Sequence, residues 1–227
     1  MRQTILWDND GVLVDSEELF YEANRRFFAA HGLEISLELY LEHFLRRSAG
    51  VWHLFRERGW SEERVVRERE ERNALYAELL ESGGDLTMPG IEAVLSDLAP
   101  ACRMAVVTSS EREHFEQIHR RTKLLPYFEQ VVAAGDYRRE KPHPEPYLTA
   151  AARLGVDPGA CLAVEDSPRG LAAAVAAGIP CFVLRSRLSA AFPFPGALAV
   201  VDSTDQLHAV LRESIGLEPR SVAADGR

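Results

Sequence analysis

Length, composition and charge together limit the kinds of protein that this chain can be. Its 227 residues suffice for one sizeable domain, or for one domain with a smaller insertion, and are too many for a disulfide-stapled miniprotein. Hydrophobic residues make up 46% and charged residues 27%, close to the soluble globular average, which argues against dominant disorder. The formal net charge of −9 argues against nucleic acid or a membrane surface as partner, because both need a basic face.

The cysteines and the first residues bear on the cellular compartment. Cys102, Cys161 and Cys181 each lie in an apolar run without CxxC spacing, so we predict buried free thiols rather than disulfides or a zinc site. The first apolar run is too short for a signal peptide, and no apolar stretch reaches membrane-spanning length. A cytoplasmic protein is therefore expected.

Short apolar runs that end in polar turns recur along the chain and predict buried strands. They cover residues 4–7, 103–107, 130–134, 160–164, 180–184 and 197–201. Segments with helical periodicity lie between and after the later runs, at residues 90–98, 111–122, 144–154, 169–177 and 205–213. Apolar strands that alternate with helices predict an α/β fold, a three-layer Rossmann-like core with a parallel sheet covered on both faces.

Residues 17–86 interrupt this alternation. Apolar residues such as Ala23 and Phe27 recur there at helical spacing, and no segment has a convincing strand pattern. We therefore predict an all-helical cap domain of about four helices at residues 17–86, inserted after the first strand. The Rossmann-like core is then discontinuous and comprises residues 1–16 and 87–227.

Polar side chains follow the carboxyl ends of successive predicted strands. In chain order they are Asp8, Asp10, Thr108, Ser109, Lys141, Glu165 and Asp166. Ligands of an open parallel sheet bind beyond these strand ends, so we expect the seven side chains to form one site. Clustered carboxylates need a cation, and an all-oxygen donor set favours Mg²⁺.

Four motifs that these residues carry occur in the order found in one enzyme family. They are DNDGVLVD at residues 8–15, VTSS at 107–110, KP at 141–142, and VEDS at 164–167 with a glycine three residues later and an alanine-rich helix. With these motifs the chain resembles the haloacid dehalogenase superfamily, and within it phosphatases with a helical cap after the first strand. The resemblance covers nearly the whole chain.

The resemblance implies a Mg²⁺-dependent phosphatase that hydrolyses a small phosphomonoester, such as a sugar phosphate, through an aspartyl-phosphate intermediate. Asp8 is implied to be the nucleophile, and Asp10 the general acid that later serves as general base. The metal is implied to be held by Asp8, by the main-chain carbonyl of Asp10 and by Asp166, with Glu165 as a ligand directly or through water.

The resemblance also implies how the substrate is held. Thr108, the Ser109 amide and Lys141 are expected to bind the phosphate. Only two lysines occur beside 24 arginines, and a compact ammonium suits a phosphate next to a metal better than a planar guanidinium does. Arg47 falls where related caps carry a specificity loop, which makes it a candidate contact for a distal anionic or polyol group; a solvated charge pair is the alternative. The expected partner is a small phosphorylated metabolite, with no nucleic acid or membrane, and a monomer is compatible with the sequence.

Two other functions stay open. A phosphosugar mutase similar to β-phosphoglucomutase is associated with a histidine a few residues past Asp15, where this chain has SEELF at 16–20, so the sequence counts against it. A non-catalytic phospho-ligand-binding protein is the second, because fold does not determine function. Dehalogenation is disfavoured by the presence of Asp10, and phosphonate cleavage through a Schiff base needs a cap lysine, which the predicted cap lacks.

Overall fold

A computed structural model describes residues 3–47 and 49–218, and within them six strands form one sheet. All pairings between neighbouring strands are parallel, in the order β3-β2-β1-β4-β5-β6. The strands are β1 Gln3–Trp7, β2 Cys102–Val107, β3 Gln130–Val132, β4 Cys161–Glu165, β5 Cys181–Leu184 and β6 Ala199–Val201. The predicted α/β fold with a parallel sheet is confirmed.

Strand β1 occupies the middle of the sheet, which explains why it is apolar on both faces. Ile5, Leu6 and Trp7 are fully buried, and Leu6 belongs to the opposite apolar cluster from its two neighbours. The register places Trp7 beside Val106 of β2 and Val164 of β4. The segments that follow these three strands therefore meet at one edge of the sheet, where the strand order reverses between β1 and β4.

Helices cover both faces of the sheet and also form a separate segment between β1 and β2. In chain order they are α1 Glu17–Ala30, α2 Leu37–Tyr40, which continues as a π-helical stretch Leu41–Arg46, α3 Trp52–Glu57, α4 Glu62–Ser82, α5 Ile91–Leu98, α6 Arg112–His119, α7 Glu145–Leu154, α8 Pro168–Ala176 and α9 Thr204–Ser214. Helices α5, α6 and α9 contribute to one apolar cluster against the sheet, and α7 and α8 to the other. The core therefore has three layers, helix, sheet and helix.

The helical insert, residues 17–86, supplies most of a third apolar cluster, to which Leu188 from the loop after β5 also belongs. Phe28 stacks on Phe55 with ring centroids 5.5 Å apart and meets Trp52 edge to face at 5.0 Å. Its entry and exit run side by side, since the Asp15 amide donates to the Leu86 carbonyl at 2.8 Å. These contacts agree with the predicted cap, and the division into cap and core at those boundaries stays a prediction.

The cysteines and the helices bear on two further expectations. Cys102, Cys161 and Cys181 are buried and form no disulfide with one another, as predicted. In the described part of the chain, no helix has the length and apolar character needed to cross a membrane.

Candidate active site

The chain turns tightly after β1 and brings two aspartates to the edge of the sheet. The Asn9 carbonyl accepts the Leu13 amide at 2.8 Å, and the Gly11 amide donates to the Val14 carbonyl at 2.8 Å. Gly11 has φ +78°, in the left-handed region that favours glycine. A Cβ there would lie 2.1 Å from Asp166 Oδ2, so the glycine also lets the loop after β4 approach.

Lys141 lies at the centre of a buried charge network. Its Nζ donates to Asp8 Oδ1 at 2.7 Å, to Glu165 Oε1 at 2.6 Å and to the Val107 carbonyl at 2.8 Å. The Tyr147 hydroxyl donates to the same Glu165 oxygen at 2.6 Å. Burial disfavours the ammonium, but Asp8 and Glu165 outweigh that effect and raise the pKa of Lys141 above its ordinary value. The three hydrogen bonds use all three ammonium donors, so Lys141 fixes both carboxylates in place.

Three carboxylates converge beside this lysine. Asp8, Glu165 and Asp166 each offer an oxygen, and these atoms lie within 4.8 Å of one another. Burial raises the pKa of Asp8 to about 7, with Glu165 adding to the rise and Lys141 opposing it. Burial also holds the pKa of Asp166 well above its ordinary value, with nearby carboxylates adding to the effect.

The donor set fits a hard divalent cation. Asp166 Oδ2 is buried and has no hydrogen-bond partner among residues 3–47 and 49–218. A buried carboxylate oxygen without a partner is costly, and so is the repulsion among three acids. A cation with oxygen ligands, of which Mg²⁺ is the expected one, offsets both costs.

Asp10 lies outside this carboxylate trio and accepts hydrogen bonds from hydroxyl groups. Ser110 Oγ donates to Asp10 Oδ2 at 2.6 Å, Thr108 Oγ1 donates to the same oxygen at 3.3 Å, and Ser16 Oγ donates to Oδ1. Ser16 and Ser110 had no role in the sequence-based site. The expected metal contact of Asp10 runs through its main-chain carbonyl and stays a prediction.

The two predicted phosphate-binding hydroxyls have different surroundings. Thr108 is fully buried, and its hydroxyl also accepts the Ser110 amide at 3.0 Å, so this side chain organises the loop after β2. Ser109 lines a cavity, and its Oγ accepts a hydrogen bond from Arg169 Nη1 at 3.3 Å. Phosphate binding by either residue stays a prediction.

A cavity of about 400 Å³ lies between the sheet edge and the helical insert. Asp8, Asp10 and Asp166 line it from the loops after β1 and β4. The insert contributes side chains from α1 and α4, among them Glu17, Phe20, Arg69, Arg72, Asn73 and Tyr76. A substrate bound at Asp8 would therefore contact both parts of the chain.

Arg47 does not line this cavity in the structure, and its role as a substrate contact stays a prediction. Its side chain is 63% exposed, its Nε pairs with Glu42 Oε1 at 2.6 Å, and it is not among the lining residues. The Arg47 amide donates to the Glu42 carbonyl at 3.2 Å, a five-residue π-helical spacing that places the two side chains together. The charge pair that was the alternative for Arg47 is therefore what the structure contains.

Several charged residues that the sequence analysis did not select line the cavity, and Arg169 and Glu17 are two of them. Arg169, in the first turn of α8, lines the cavity and donates from Nη1 to Ser109 Oγ at 3.3 Å, and its place two residues after the VEDS motif was the available signal. Glu17 begins α1, and burial raises its pKa to about 8, with Asp10 adding to the rise and Arg169 opposing it. Nothing in the local pattern around Glu17 distinguishes it from an ordinary acidic residue of a first helical turn.

The similarity of the chain to known proteins shows which family it belongs to. The family model for haloacid dehalogenase-like hydrolases matches residues 3–178, most of the chain. The chain belongs to this family. All the strand-end residues discussed above, from Asp8 to Asp166, fall inside the region that matches the haloacid dehalogenase-like hydrolases.

Individual members of the family are similar over most of their length. The chain is 33% identical over 214 residues to the protein CbbY, plasmid, of Cupriavidus necator, which covers 88% of this chain and 84% of that protein. It is 32% identical over 188 residues to the phosphorylated carbohydrates phosphatase of Thermotoga maritima, with coverages of 78% and 82%. The crystal structure of β-phosphoglucomutase from Clostridium difficile matches with a TM-score of 0.82 at 25% identity, covering 95% of this chain and 98% of that one.

Proposed function

We propose that this protein is a Mg²⁺-dependent phosphatase that hydrolyses a small phosphorylated carbohydrate. The observation that carries the proposal is the Asp8 carboxylate, held at the end of β1 by the buried Lys141 ammonium at 2.7 Å and adjacent to a second aspartate. A carboxylate fixed in this way is a suitable nucleophile for phosphorus. The similarity to a phosphatase of phosphorylated carbohydrates supports the substrate class.

The first half of the reaction is attack by Asp8. A carboxylate oxygen of Asp8 forms a bond to phosphorus, and the bond from phosphorus to the ester oxygen breaks. Lys141 and Arg169 supply positive charge beside the phosphoryl oxygens, which reduces the repulsion between two anions. The product of this step is an aspartyl-phosphate and an alcohol.

Asp10 is proposed to carry the proton in both halves. It protonates the departing ester oxygen, and it then takes a proton from the water that hydrolyses the aspartyl-phosphate. Its partners Ser16, Ser110 and Thr108 are all hydroxyl groups, which can either donate or accept a hydrogen bond. The surroundings of Asp10 therefore accommodate both of its protonation states.

Asp8, Asp166 and the main-chain carbonyl of Asp10 would hold Mg²⁺, with Glu165 bound directly or through water. When bound, the metal supplies charge neutralisation for the phosphoryl oxygens. The buried and unpartnered Oδ2 of Asp166 and the all-oxygen donor set support this assignment.

The test is incubation of the protein with Mg²⁺ and a panel of phosphorylated sugars and polyols, with both inorganic phosphate and sugar phosphates measured. A phosphatase releases phosphate and the free alcohol in equal amounts. Conversion of a sugar 1-phosphate to its 6-phosphate with little free phosphate would instead identify a mutase. Tight binding of the esters without any turnover would identify a phospho-ligand-binding protein.

The mutase is the second candidate, because the similarity to β-phosphoglucomutase covers nearly the whole chain. The segment at residues 16–20, where a mutase histidine is expected, contains Phe20, which lines the cavity and has the Arg72 guanidinium 4.6 Å from its ring centroid. A phenyl ring can neither donate nor accept a proton. The chemistry at this position therefore favours hydrolysis.

A further inference from the structure

Tyr147 is a buried residue with a polar group that the phosphatase mechanism does not use. It lies on α7, in the segment that follows Lys141, and is fully buried in the apolar cluster that contains Leu6 and Val107. Its hydroxyl donates to Glu165 Oε1 at 2.6 Å. A phenyl ring would fill the same apolar surroundings, and a buried hydroxyl is unfavourable unless it forms a hydrogen bond. The contact with Glu165 is therefore what the hydroxyl adds at this position.

The ammonium of Lys141 has no donor left for a substrate. Its three hydrogen bonds go to Asp8 Oδ1, Glu165 Oε1 and the Val107 carbonyl, at 2.6 to 2.8 Å. An ammonium has three donors, so a hydrogen bond from Lys141 to a phosphoryl oxygen requires the release of one of these acceptors. Binding of a phosphate beside Asp8 therefore involves a change of partner at Lys141.

Glu165 is the acceptor that Lys141 can release at the lowest cost. Its Oε1 receives two hydrogen bonds, one from the ammonium and one from the Tyr147 hydroxyl. In the described part of the chain, Asp8 and the Val107 carbonyl receive no second side-chain hydrogen bond. Glu165 is fully buried, and a buried carboxylate oxygen without a donor is costly. The Tyr147 hydroxyl avoids that cost when the ammonium leaves.

The Tyr147 ring lies beside the ammonium as well. Lys141 Nζ is 5.0 Å from the ring centroid, within the distance at which an aromatic face attracts a cation. This attraction does not depend on Glu165, so it persists while the ammonium exchanges one acceptor for another. Tyr147 thus contacts both members of the ion pair, the carboxylate through its hydroxyl and the ammonium through its ring.

We propose that Tyr147 is a positioning residue that frees Lys141 for the phosphate. When a phosphoryl group binds beside Asp8, one ammonium hydrogen bond passes from Glu165 to a phosphoryl oxygen, and the Tyr147 hydroxyl keeps Glu165 in place. No covalent bond forms or breaks in this exchange, and no proton moves. The inference rests on the proposed function, because it needs a phosphate beside Asp8. The hydroxyl should therefore matter more in the phosphate-bound protein than in the free protein.

Binding of inorganic phosphate tests this exchange directly. Tyr147→Phe removes the hydroxyl and keeps the ring, so Glu165 Oε1 keeps its Lys141 contact in the free protein and loses both donors in the phosphate-bound protein. Calorimetry in saturating Mg²⁺ should give a Kd for phosphate about tenfold or more above that of the wild type, as expected for a lost hydrogen bond to a charged group. An unchanged Kd would overturn the proposal.

A matched control and a second ligand distinguish this role from a purely structural one. Tyr21→Phe also removes a phenol hydroxyl, which donates to the Ile35 carbonyl at 3.4 Å and does not line the cavity, so its Kd for phosphate should equal that of the wild type. Without phosphate, Lys141 holds Glu165 in both proteins, so Tyr147→Phe should bind Mg²⁺ with wild-type affinity. A parallel loss of affinity for Mg²⁺ and phosphate would show that the hydroxyl only supports the carboxylates, and would overturn the proposal.

The phosphate titration separates this proposal from the phosphatase itself. If the wild type hydrolyses no ester, the proposed function fails, and the comparison of the two phosphate affinities still decides the role of Tyr147. If the wild type hydrolyses esters and Tyr147→Phe binds phosphate equally well, the phosphatase stands and the role of Tyr147 fails. A wild type that binds no phosphate at all would also overturn that role.

Discussion

The site depends on a residue type that the rest of the chain hardly uses. Lys141 is one of two lysines, and its ammonium lies between Asp8, Glu165 and a main-chain carbonyl at 2.6 to 2.8 Å. Its side chain is 2% exposed, so the surrounding atoms leave room for a compact head group alone. Positive charge by itself is therefore not sufficient at this position.

Lys141→Arg should lower kcat/KM by about 100-fold or more, although the charge is kept. The planar guanidinium cannot make the same three contacts without displacing Asp8, and a displacement of about 1 Å can cost about 100-fold. Phosphate release measures the effect. Lys123→Arg is the matched control, because Lys123 is exposed and should tolerate the change. Near-normal rates in Lys141→Arg would show that the lysine is incidental.

His119 contacts the side chain of Asn9, the residue between Asp8 and Asp10. Its Nε2 lies 2.8 Å from Asn9 Oδ1 and its Nδ1 lies 2.7 Å from Thr122 Oγ1. The neutral ring satisfies both contacts by donating to Asn9 and accepting from Thr122. Burial lowers the pKa of His119 from 6.5 to about 4, so the folded protein keeps the ring neutral where the unfolded chain protonates it.

The stability of the fold should therefore depend on pH through His119. The unfolded chain takes up the proton first as pH falls below 6.5, so the contribution is complete above that value and is lost as pH falls toward 4. Between pH 7.5 and 5 the unfolding free energy of the wild type should fall by about 2 kcal/mol more than that of His119→Gln, which has no titrating group. Urea unfolding at both pH values measures the difference. Parallel pH profiles for the two proteins would contradict this role.

Helix α8 shows how a whole element depends on the buried charge network. It begins after Ser167, whose hydroxyl accepts the Gly170 amide at 3.2 Å. Gly170 lies directly over Glu165, and a Cβ at this glycine would come within 1.9 Å of Glu165 Oε2. The helix can therefore pack against β4 only because position 170 has no side chain.

Gly170→Ala should destabilise the protein by about 1–3 kcal/mol and reduce activity, because the new methyl group displaces the Glu165 carboxylate. This is the opposite of the gain of about 0.5–1 kcal/mol that Gly to Ala usually brings inside a helix. Ala172→Gly, at an exposed position of the same helix, should cost about 0.5–1 kcal/mol and leave kcat/KM unchanged. Urea unfolding and phosphate release measure both. An active Gly170→Ala variant that is also more stable would refute this packing.

The strands could be predicted to within two residues because they are mostly apolar and end in polar turns. The strand predicted at residues 103–107 lies within β2, Cys102–Val107. The strand predicted at residues 130–134 starts at the same residue as β3, Gln130–Val132, and extends two residues beyond its end. Helix ends were less accurate: the segment predicted at 111–122 contains α6, Arg112–His119, after which the Thr122 side chain instead contacts His119. The hydrophobic period indicates that a helix is present. It does not show at which residue side-chain contacts end the helix.

The site residues were predictable where a parallel register alone brings them together. Asp8 and Asp166 follow aligned strands, so their meeting needed no knowledge of the helices. The contacts made by other side chains were not predictable, because the Ser16 hydroxyl reaches Asp10 and Tyr76 of α4 reaches the cavity only in the folded chain. The surroundings of Arg47 were not predictable, because a π-helical spacing, which a 3.6-residue period does not anticipate, pairs it with Glu42.

At the scale of the whole molecule, loops at the edge of the sheet and helices of residues 17–86 line one cavity. The two segments that connect the helices of residues 17–86 to the sheet run side by side. Val14 in the first forms an antiparallel bridge with Thr87 in the second. Three buried carboxylates at the junction of loops after β1 and β4 destabilise the folded state unless a cation binds. Metal binding should therefore be measurable in the stability of the entire fold.

Mg²⁺ should raise the unfolding free energy, by about 2.7 kcal/mol at a concentration of 100 times its Kd. The effect should be larger at pH 8 than at pH 6, because the metal must displace protons from carboxylates and the pKa of Asp8 is about 7. Thermal unfolding with and without Mg²⁺ measures it. Asp166→Asn should abolish the stabilisation by Mg²⁺. The control Asp205→Asn, at an exposed position, should keep it. An unchanged stabilisation in Asp166→Asn would place the metal elsewhere.

The most direct test is phosphate release from a phosphorylated carbohydrate in the presence of Mg²⁺, compared between the wild type, Asp8→Asn and the surface control Asp205→Asn. We expect the wild type and Asp205→Asn to turn over at similar rates, and Asp8→Asn to lose about 1,000-fold or more, because the amide is a poor nucleophile for phosphorus. Turnover by Asp8→Asn at the rate of the wild type would contradict a phosphatase that acts through Asp8.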